Sequence, residues 1–263
     1  MKIHPTAIVA KEAQIAPGVE IGPYSIIGPD VKVGNGTRIL NHVVIDGRTT
    51  LGQRCVIYSG VSLGTSPQVK NFSPIESFLS IGDDNILREY VTINVSMKPG
   101  GATLIGNRNY LMINTHIAHD CQLGDDITIA NSTALGGHVT VENGAVISGM
   151  CGVHQYVRIG RLSMLGGFSK AVMDVLPFSI SDGRPAKFYG LNSIGLRRAG
   201  YSSKNALSIK KALKVLSSPG VKTAAISKLK KQFAGDPNVE HLIRFAETSK
   251  RGLSRGSGEK PDA

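Results

Sequence analysis

Four of the chain's seven histidines fall between residues 116 and 154: His116, His119, His138 and His154. Asp120 follows His119 directly, Gln155 follows His154, and the pair Gly136-Gly137 precedes His138. An imidazole beside a carboxylate suits general acid–base chemistry, because the carboxylate fixes the tautomer and leaves the far ring nitrogen to take a proton from a substrate hydroxyl. Outward histidines on neighbouring turns could also hold zinc through three nitrogens and a water. A third reading is conformational, since His and Asn tolerate tight corners. Choosing among these depends on which side chains meet, and so on the elements that carry them.

Those elements are written at a period of six. Stepping by six from Ile3 to Leu165, 27 of 28 positions are Ile, Val or Leu, and the exception is Pro99. A helix repeats near 3.6 and a strand near 2, so neither alone produces such a column. Four residues after each column position the types are small or β-branched, as at Ala7, Val19, Thr37, Val61, Thr133 and Ala145, which suits a narrow interior. Gly often follows the column residue, as at Gly22, Gly34, Gly52, Gly106 and Gly160, where a short strand would turn a corner. This is the hexapeptide pattern of a parallel β-helix.

Three hexads make one triangular coil, so residues eighteen apart stack at the strand spacing of roughly 4.8 Å. His119, Gly137 and Gln155 then form one vertical row, Asp120 lies under His138, and Gly136 lies under His154. None of the four histidines is in an interior column, so all should project outward. Cys55, Cys121 and Cys151 do fall in the interior column and read as packing residues, with no CxxC pair for a zinc site.

Two segments interrupt the pattern and should leave the scaffold as external loops, near 65–80 (TSPQVKNFSPIESFLS) and 97–102 (MKPGGA). The expected organisation is a β-helix over 1–188, a small basic α-helical domain over 189–251 and a disordered tail over 252–263. Ser203 is the expected cap of the first long helix, which closes before Pro219-Gly220; amphipathic segments at 221–233 and 239–249 follow.

The charge is concentrated in those helices. Residues 190–263 hold 15 basic and 5 acidic groups, net +10, whereas residues 1–189 hold 15 and 14, net +1. Such a patch draws an acidic partner by Coulomb steering. A nucleic acid is not the expected partner, because no aromatic-interleaved basic groove or helix-turn-helix pattern accompanies the charge. The sequence has no run of eighteen apolar residues and no long apolar core near its start, so a cytoplasmic protein without integral membrane association is expected.

The runs LMINTHIAHDCQLGDD (111–126), LGGHVTV (135–141), GVHQYVRIG (152–160) and GLNSIGLRRAGYS (190–202) closely resemble the acyl-[acyl-carrier-protein]:UDP-N-acetylglucosamine O-acyltransferase family over nearly the whole chain. The resemblance implies a left-handed β-helix and a cytoplasmic homotrimer. It further implies transfer of a 3-hydroxyacyl chain from acyl carrier protein to the 3-position of a UDP-sugar, the first step of lipid A biosynthesis, with no cofactor and no metal. By the same resemblance His119 is the general base, Asp120 its orienting carboxylate, and Gly137 the backbone donor to the thioester oxyanion. Lys70, His116, His138, His154 and Gln155 line the substrate cleft. Asn192, Arg197 and Arg198 contact nucleotide or carrier, and Gly167 with Phe168 marks the acyl-chain groove.

Three stretches depart from the family pattern. PQVK stands where PQDLK is usual, so a carboxylate is missing beside Lys70. Asn94 and Val95 replace a common histidine and a common basic residue, and Ile194 replaces a glutamate. These departures keep a UDP-3-amino sugar, giving an amide, as an alternative acceptor. A zinc-dependent hydratase on the same scaffold is the other alternative, and it would need bound metal but no basic helices.

Overall fold

A run of outward–inward residue pairs builds the molecule. Arg38–Ile39 is typical: two residues form the strand, with Arg38 exposed and Ile39 buried. In the computed structural model, which describes residues 2–73, 75–218 and 220–256, such pairs stack into three sheets of eleven, nine and eight strands. The fold is a left-handed parallel β-helix followed by a short helical region. The column residues and the small residues four positions on form one continuous core, including Ile57, Leu87, Ile117, Val139 and Ile147. Cys55, Cys121 and Cys151 are buried within it, and burial pushes the Cys121 thiol up to about 12. Among the described residues, no helix is long and apolar enough to cross a membrane.

Each coil turns its corners in the same way. The residue three after the column takes the left-handed conformation, for example at Tyr24, His42, Asp84, Asp120, His138 and Tyr156. That costs an L-residue roughly 1 kcal/mol or more, and backbone ladders between coils offset it. Glycines after the column residue answer a different need from the conformational one expected. At Gly34 an added Cβ would overlap the backbone of Gly52 on the next coil, so the glycine provides room; the positive φ comes two residues later, at Gly36.

The external loops are narrower than expected. The strands Ser62–Thr65 and Phe78–Ile81 extend into the predicted 65–80 segment, leaving residues 66–77 outside the ladder. Leu79 is buried, with Phe78 and Ser80 facing outward, so an alternating strand replaces the end of the loop. Ala102 likewise opens the strand Ala102–Ile105, and the second loop spans residues 95–101. The column kept its register through both loops for an arithmetic reason. Pairing steps from Ile57 to Leu87 and from Leu87 to Leu111 in place of the usual eighteen, as between Ile117 and Leu135. The loops therefore add two hexads and one. Val69 keeps the phase yet is exposed, because it packs against no coil.

The top of the helix is closed by an antiparallel hairpin, Ser179–Gly183 with Ala186–Leu191. The boundary expected between 188 and 189 falls inside its second strand, which pairs with the first, and the first strand's ladder to the last coil ties both to the sheet. Four helices follow: α1 Ser193–Arg198, α2 Ser203–Ser217, α3 Lys222–Gln232 and α4 Pro237–Glu247. Ser202, not Ser203, caps α2, its hydroxyl accepting from the Asn205 N–H. The helices pack Ile209, Leu213, Leu229, Leu242 and Phe245 against Leu176 and Phe178 from the end of the coil. Polar groups lock the join: His241 Nε2 on α4 lies 2.8 Å from Glu142 Oε2 on the coil, and Arg158 donates to the Phe245 carbonyl.

The tail expected to be disordered from Gly252 is instead docked over its described part. Leu253 and Ser254 are buried, and the Ser254 hydroxyl donates to the Ala186 carbonyl. The Ser254 N–H donates to the Asp174 carbonyl, so a backbone ladder anchors a segment whose composition suggests freedom. Residues 257–263 of that predicted tail lie outside the described residues.

Candidate active site

The histidine cluster is placed by the hexad itself. His116 is the outward residue of the strand His116–Ile117, and its Nδ1 lies 2.7 Å from the Thr92 hydroxyl on the coil below. Three residues on, the chain turns a corner at His119 and Asp120. The left-handed φ of 60° at Asp120 folds its carboxylate back, and Oδ2 accepts from His119 Nδ1 at 2.8 Å. With Nδ1–H committed to the carboxylate, His119 Nε2 is the nitrogen left to act as a base. Both side chains are largely buried, at 14% and 7% exposed.

Asp120 is a well-satisfied acceptor. The Ser96 hydroxyl donates to Oδ1 at 2.6 Å, and the Met97 N–H to Oδ2 at 3.3 Å. Burial alone would raise this carboxyl, but donation from Ser96, His119 and Met97, with the charge of His138, outweighs it and holds Asp120 below the usual carboxylate range. Burial lowers His138 despite the opposing pull of Asp120, and burial with the nearby His119 lowers His116. An ionised Asp120 at neutral pH follows, with burial favouring the neutral form of His138 and His116.

One coil above, Gly137 meets the His119 ring. A Cβ on Gly137 would fall inside van der Waals contact of His119 Cε1 and Nε2, so the residue is glycine to admit the imidazole. Its N–H donates to no group among the described residues. The corner position explains this, because the inter-coil ladder does not use the N–H there, and Pro5, Pro17, Pro23 and Pro29 occupy the equivalent place. A free N–H close to the free ring nitrogen is what an oxyanion donor beside a base requires.

A groove of about 540 Å³ opens beside this corner, lined by Gln68, Asn94, His116, His119, Ala134, Leu135, Gly136, Gly152, His154 and Lys170 among others. The structure thus gathers His116, His119, Gly136 and His154 as the stacking arithmetic expected, with His138 flanking Asp120 at 3.7 Å. Gln155 is exposed next to His154, whose Nδ1 lies 3.2 Å from the Gln155 carbonyl. Lys70 is exposed on the 66–77 loop, and Gln68, two residues before it, is the loop residue that lines the groove. Gly167 and Phe168 are exposed at a higher corner, where the Phe168 carbonyl accepts from Arg184 Nε at 2.6 Å.

Arg197 and Arg198 are exposed on α1, away from the histidine cluster. Asn192 has partners within the fold. Its Oδ1 accepts from the Gly195 N–H to cap α1, and its Nδ2 donates to the Leu162 carbonyl. It is 6% exposed.

Several site residues went unnoticed in the sequence. Tyr156 lies parallel to the His138 ring at 4.4 Å, while His138 stands edge-on to His119 at 5.2 Å. The eighteen-residue step from His138 leads directly to Tyr156, so a signal existed. Lys170 had one as well, since it stacks in steps of eighteen above His116 through Ala134 and Gly152, whereas Ser96 and Thr92 had none, because they belong to or adjoin a loop. His119, Asp120 and His138 also place three potential metal donors within 4.8 Å of one another. The hydrogen bond joining the first two already accounts for their proximity.

A family model described as "Udp N-acetylglucosamine O-acyltransferase; Domain 2" matches residues 174–254, and one described as "GMPPB C-terminal domain" matches residues 3–99. A curated protein of Syntrophobacter fumaroxidans, named acyl-[acyl-carrier-protein]--UDP-N-acetylglucosamine O-acyltransferase, is 45% identical, covering 97% of this chain and 100% of its own. The protein of the same name from Thermodesulfovibrio yellowstonii is 44% identical over 97% and 99% of the two chains. Among solved structures, LpxA from Acinetobacter baumannii superposes with a TM-score of 0.92 at 36% identity, covering 96% of this chain and 99% of that one.

Proposed function

Since the chain belongs to the acyl-[acyl-carrier-protein]:UDP-N-acetylglucosamine O-acyltransferase family, we propose that it moves a 3-hydroxyacyl chain from acyl carrier protein to the 3-hydroxyl of UDP-N-acetylglucosamine, opening lipid A synthesis. The observation that carries the reading is the His119–Asp120 pair set against the free N–H of Gly137. His119 Nε2 takes the proton of the sugar hydroxyl as its oxygen attacks the thioester carbonyl carbon. The carbonyl oxygen becomes an oxyanion that accepts from the Gly137 N–H. Collapse breaks the C–S bond, and the imidazolium returns its proton to the departing thiolate, leaving an ester and the carrier thiol. The thioester supplies the activation, so positioning and one proton relay suffice without a cofactor.

His116, His138, His154, Gln155 and Lys70 are proposed to hold the substrates around this centre in a cytoplasmic homotrimer, with Gly167 and Phe168 flanking the far end of the acyl chain. The names of the relatives support UDP-N-acetylglucosamine as acceptor and lend none to the 3-amino sugar or to a zinc hydratase. Incubation with mixed 3-hydroxyacyl carrier proteins and both UDP-sugars, followed by mass spectrometry, should yield an ester on UDP-N-acetylglucosamine. Folded protein that acylates neither sugar would overturn the assignment.

The basic helices are proposed as the dock for the acidic carrier protein, with Arg197 and Arg198 on α1 at the exposed end. Reversing both to glutamate is expected to raise KM for the acyl carrier protein about tenfold, with KM for the UDP-sugar little changed. An unchanged carrier KM across a salt titration would remove these arginines from the dock.

A further inference from the structure

Resting on the His119 mechanism above, we infer that Ser96 is a positioning residue of the reaction, holding Asp120 in the orientation that leaves His119 Nε2 free. Ser96 belongs to the loop of residues 95–101 that interrupts the coil, and its side chain is fully buried. Its Oγ donates to Asp120 Oδ1 at 2.6 Å while accepting from the Lys98 N–H at 3.0 Å. The serine proton is thereby directed at the carboxylate: the one lone-pair contact comes from the loop backbone and the one donor goes to Asp120. The next residue adds the Met97 N–H to Oδ2.

The loop therefore grips both carboxylate oxygens, and the imidazole takes a remaining lone pair of Oδ2. A second contact fixes the corner from the other side, since the Asp120 N–H donates to Thr103 Oγ1 just after the loop. The titratable groups facing the carboxylate are His119 and His138, and Lys98 on the same loop acts on His138. A six-residue insertion that only bulged outward would need no buried hydroxyl aimed at the next coil. The loop also packs tightly around this serine, because a Cβ on Gly101 would collide with its Oγ.

Ser96→Ala removes the donor and leaves the loop backbone in place. Hydrogen bonds to a charged acceptor are strong enough that kcat is expected to fall about tenfold or more. KM for the UDP-sugar should stay within roughly twofold, since Ser96 does not line the groove. The sign of the pH effect follows from the carboxylate. Without the Ser96 proton, Asp120 holds more negative charge against the imidazolium formed during proton transfer, so the acid limb of kcat moves up. Ser96→Thr keeps the hydroxyl and should restore both the rate and the limb.

A structural role alone would lower the amount of folded protein without moving the limb. Wild-type kcat and limb in Ser96→Ala would overturn the inference, as would equal losses in the alanine and threonine variants with the limb unmoved. His119→Ala, assayed alongside, separates the two levels. If it abolishes turnover while Ser96→Ala does nothing, only the role of Ser96 fails. If His119→Ala retains turnover, the underlying mechanism fails.

Discussion

Replacing His119 with alanine is expected to lower kcat by about three orders of magnitude, the range that a positioned general base supplies. Neither neighbour at this corner can take over. Asp120 is held by Ser96, Met97 and the Thr103 hydroxyl, and the His138 ring sits edge-on to His119 with Tyr156 stacked on it. Neither can swing its acceptor atom into the vacated space without breaking those contacts. The variant should keep its fold, because His119 lies outside the interior column, whose packing its loss leaves untouched. Steady-state kinetics with matched circular dichroism would check this, and turnover within tenfold of wild type would remove His119 from the proton transfer. The acid limb that a general base gives the pH profile of kcat should disappear with the imidazole.

The second large effect is expected at Gly137. Alanine there retains the backbone N–H, so simple loss of an oxyanion donor would not explain a defect. The added methyl collides with the His119 ring, and what must give way is the end of a side chain rather than a backbone. The fold should therefore survive, while the base is displaced from its working position. A misplacement of about 1 Å costs on the order of a hundredfold, and kcat should fall by that amount with little change in melting temperature. Gly34→Ala is the instructive contrast, because its methyl meets the Gly52 backbone and should cost stability first. A Gly137→Ala enzyme with normal kcat would mean that the ring does not act from where the structure places it.

How much of this was legible in advance depended on whether a contact repeats. The 27 Ile, Val and Leu positions of the column specify the β-helix because no other element buries one residue in six over such a length. Once the coil is known, a fixed step of eighteen places His119 beside Gly137 and His138 above Asp120, which is why the catalytic corner could be read before any coordinates. The same step leads from His138 to Tyr156, whose ring stacks on it.

Contacts outside the repeat were not legible. Ser96 reaches Asp120 across a loop that adds one hexad to the usual step, and nothing in MKPGGA announces a buried hydroxyl. Gln68 rather than Lys70 faces the groove because the path of the 66–77 loop follows its own packing and not the hexad. The two amide ends of Asn192 cap α1 and hold the Leu162 carbonyl, contacts that follow no repeat. Leu253 and Ser254, in a tail of disordered composition, dock because Asp174 and Ala186 offer them backbone partners. The sequence by itself determined the coil, its core and the vertical order of the catalytic residues, since a period enforces one geometry on every turn. Only the tertiary structure decided which tautomer His119 presents, what holds Asp120 and which loop residue meets the groove, because those depend on single hydrogen bonds between segments with no common repeat.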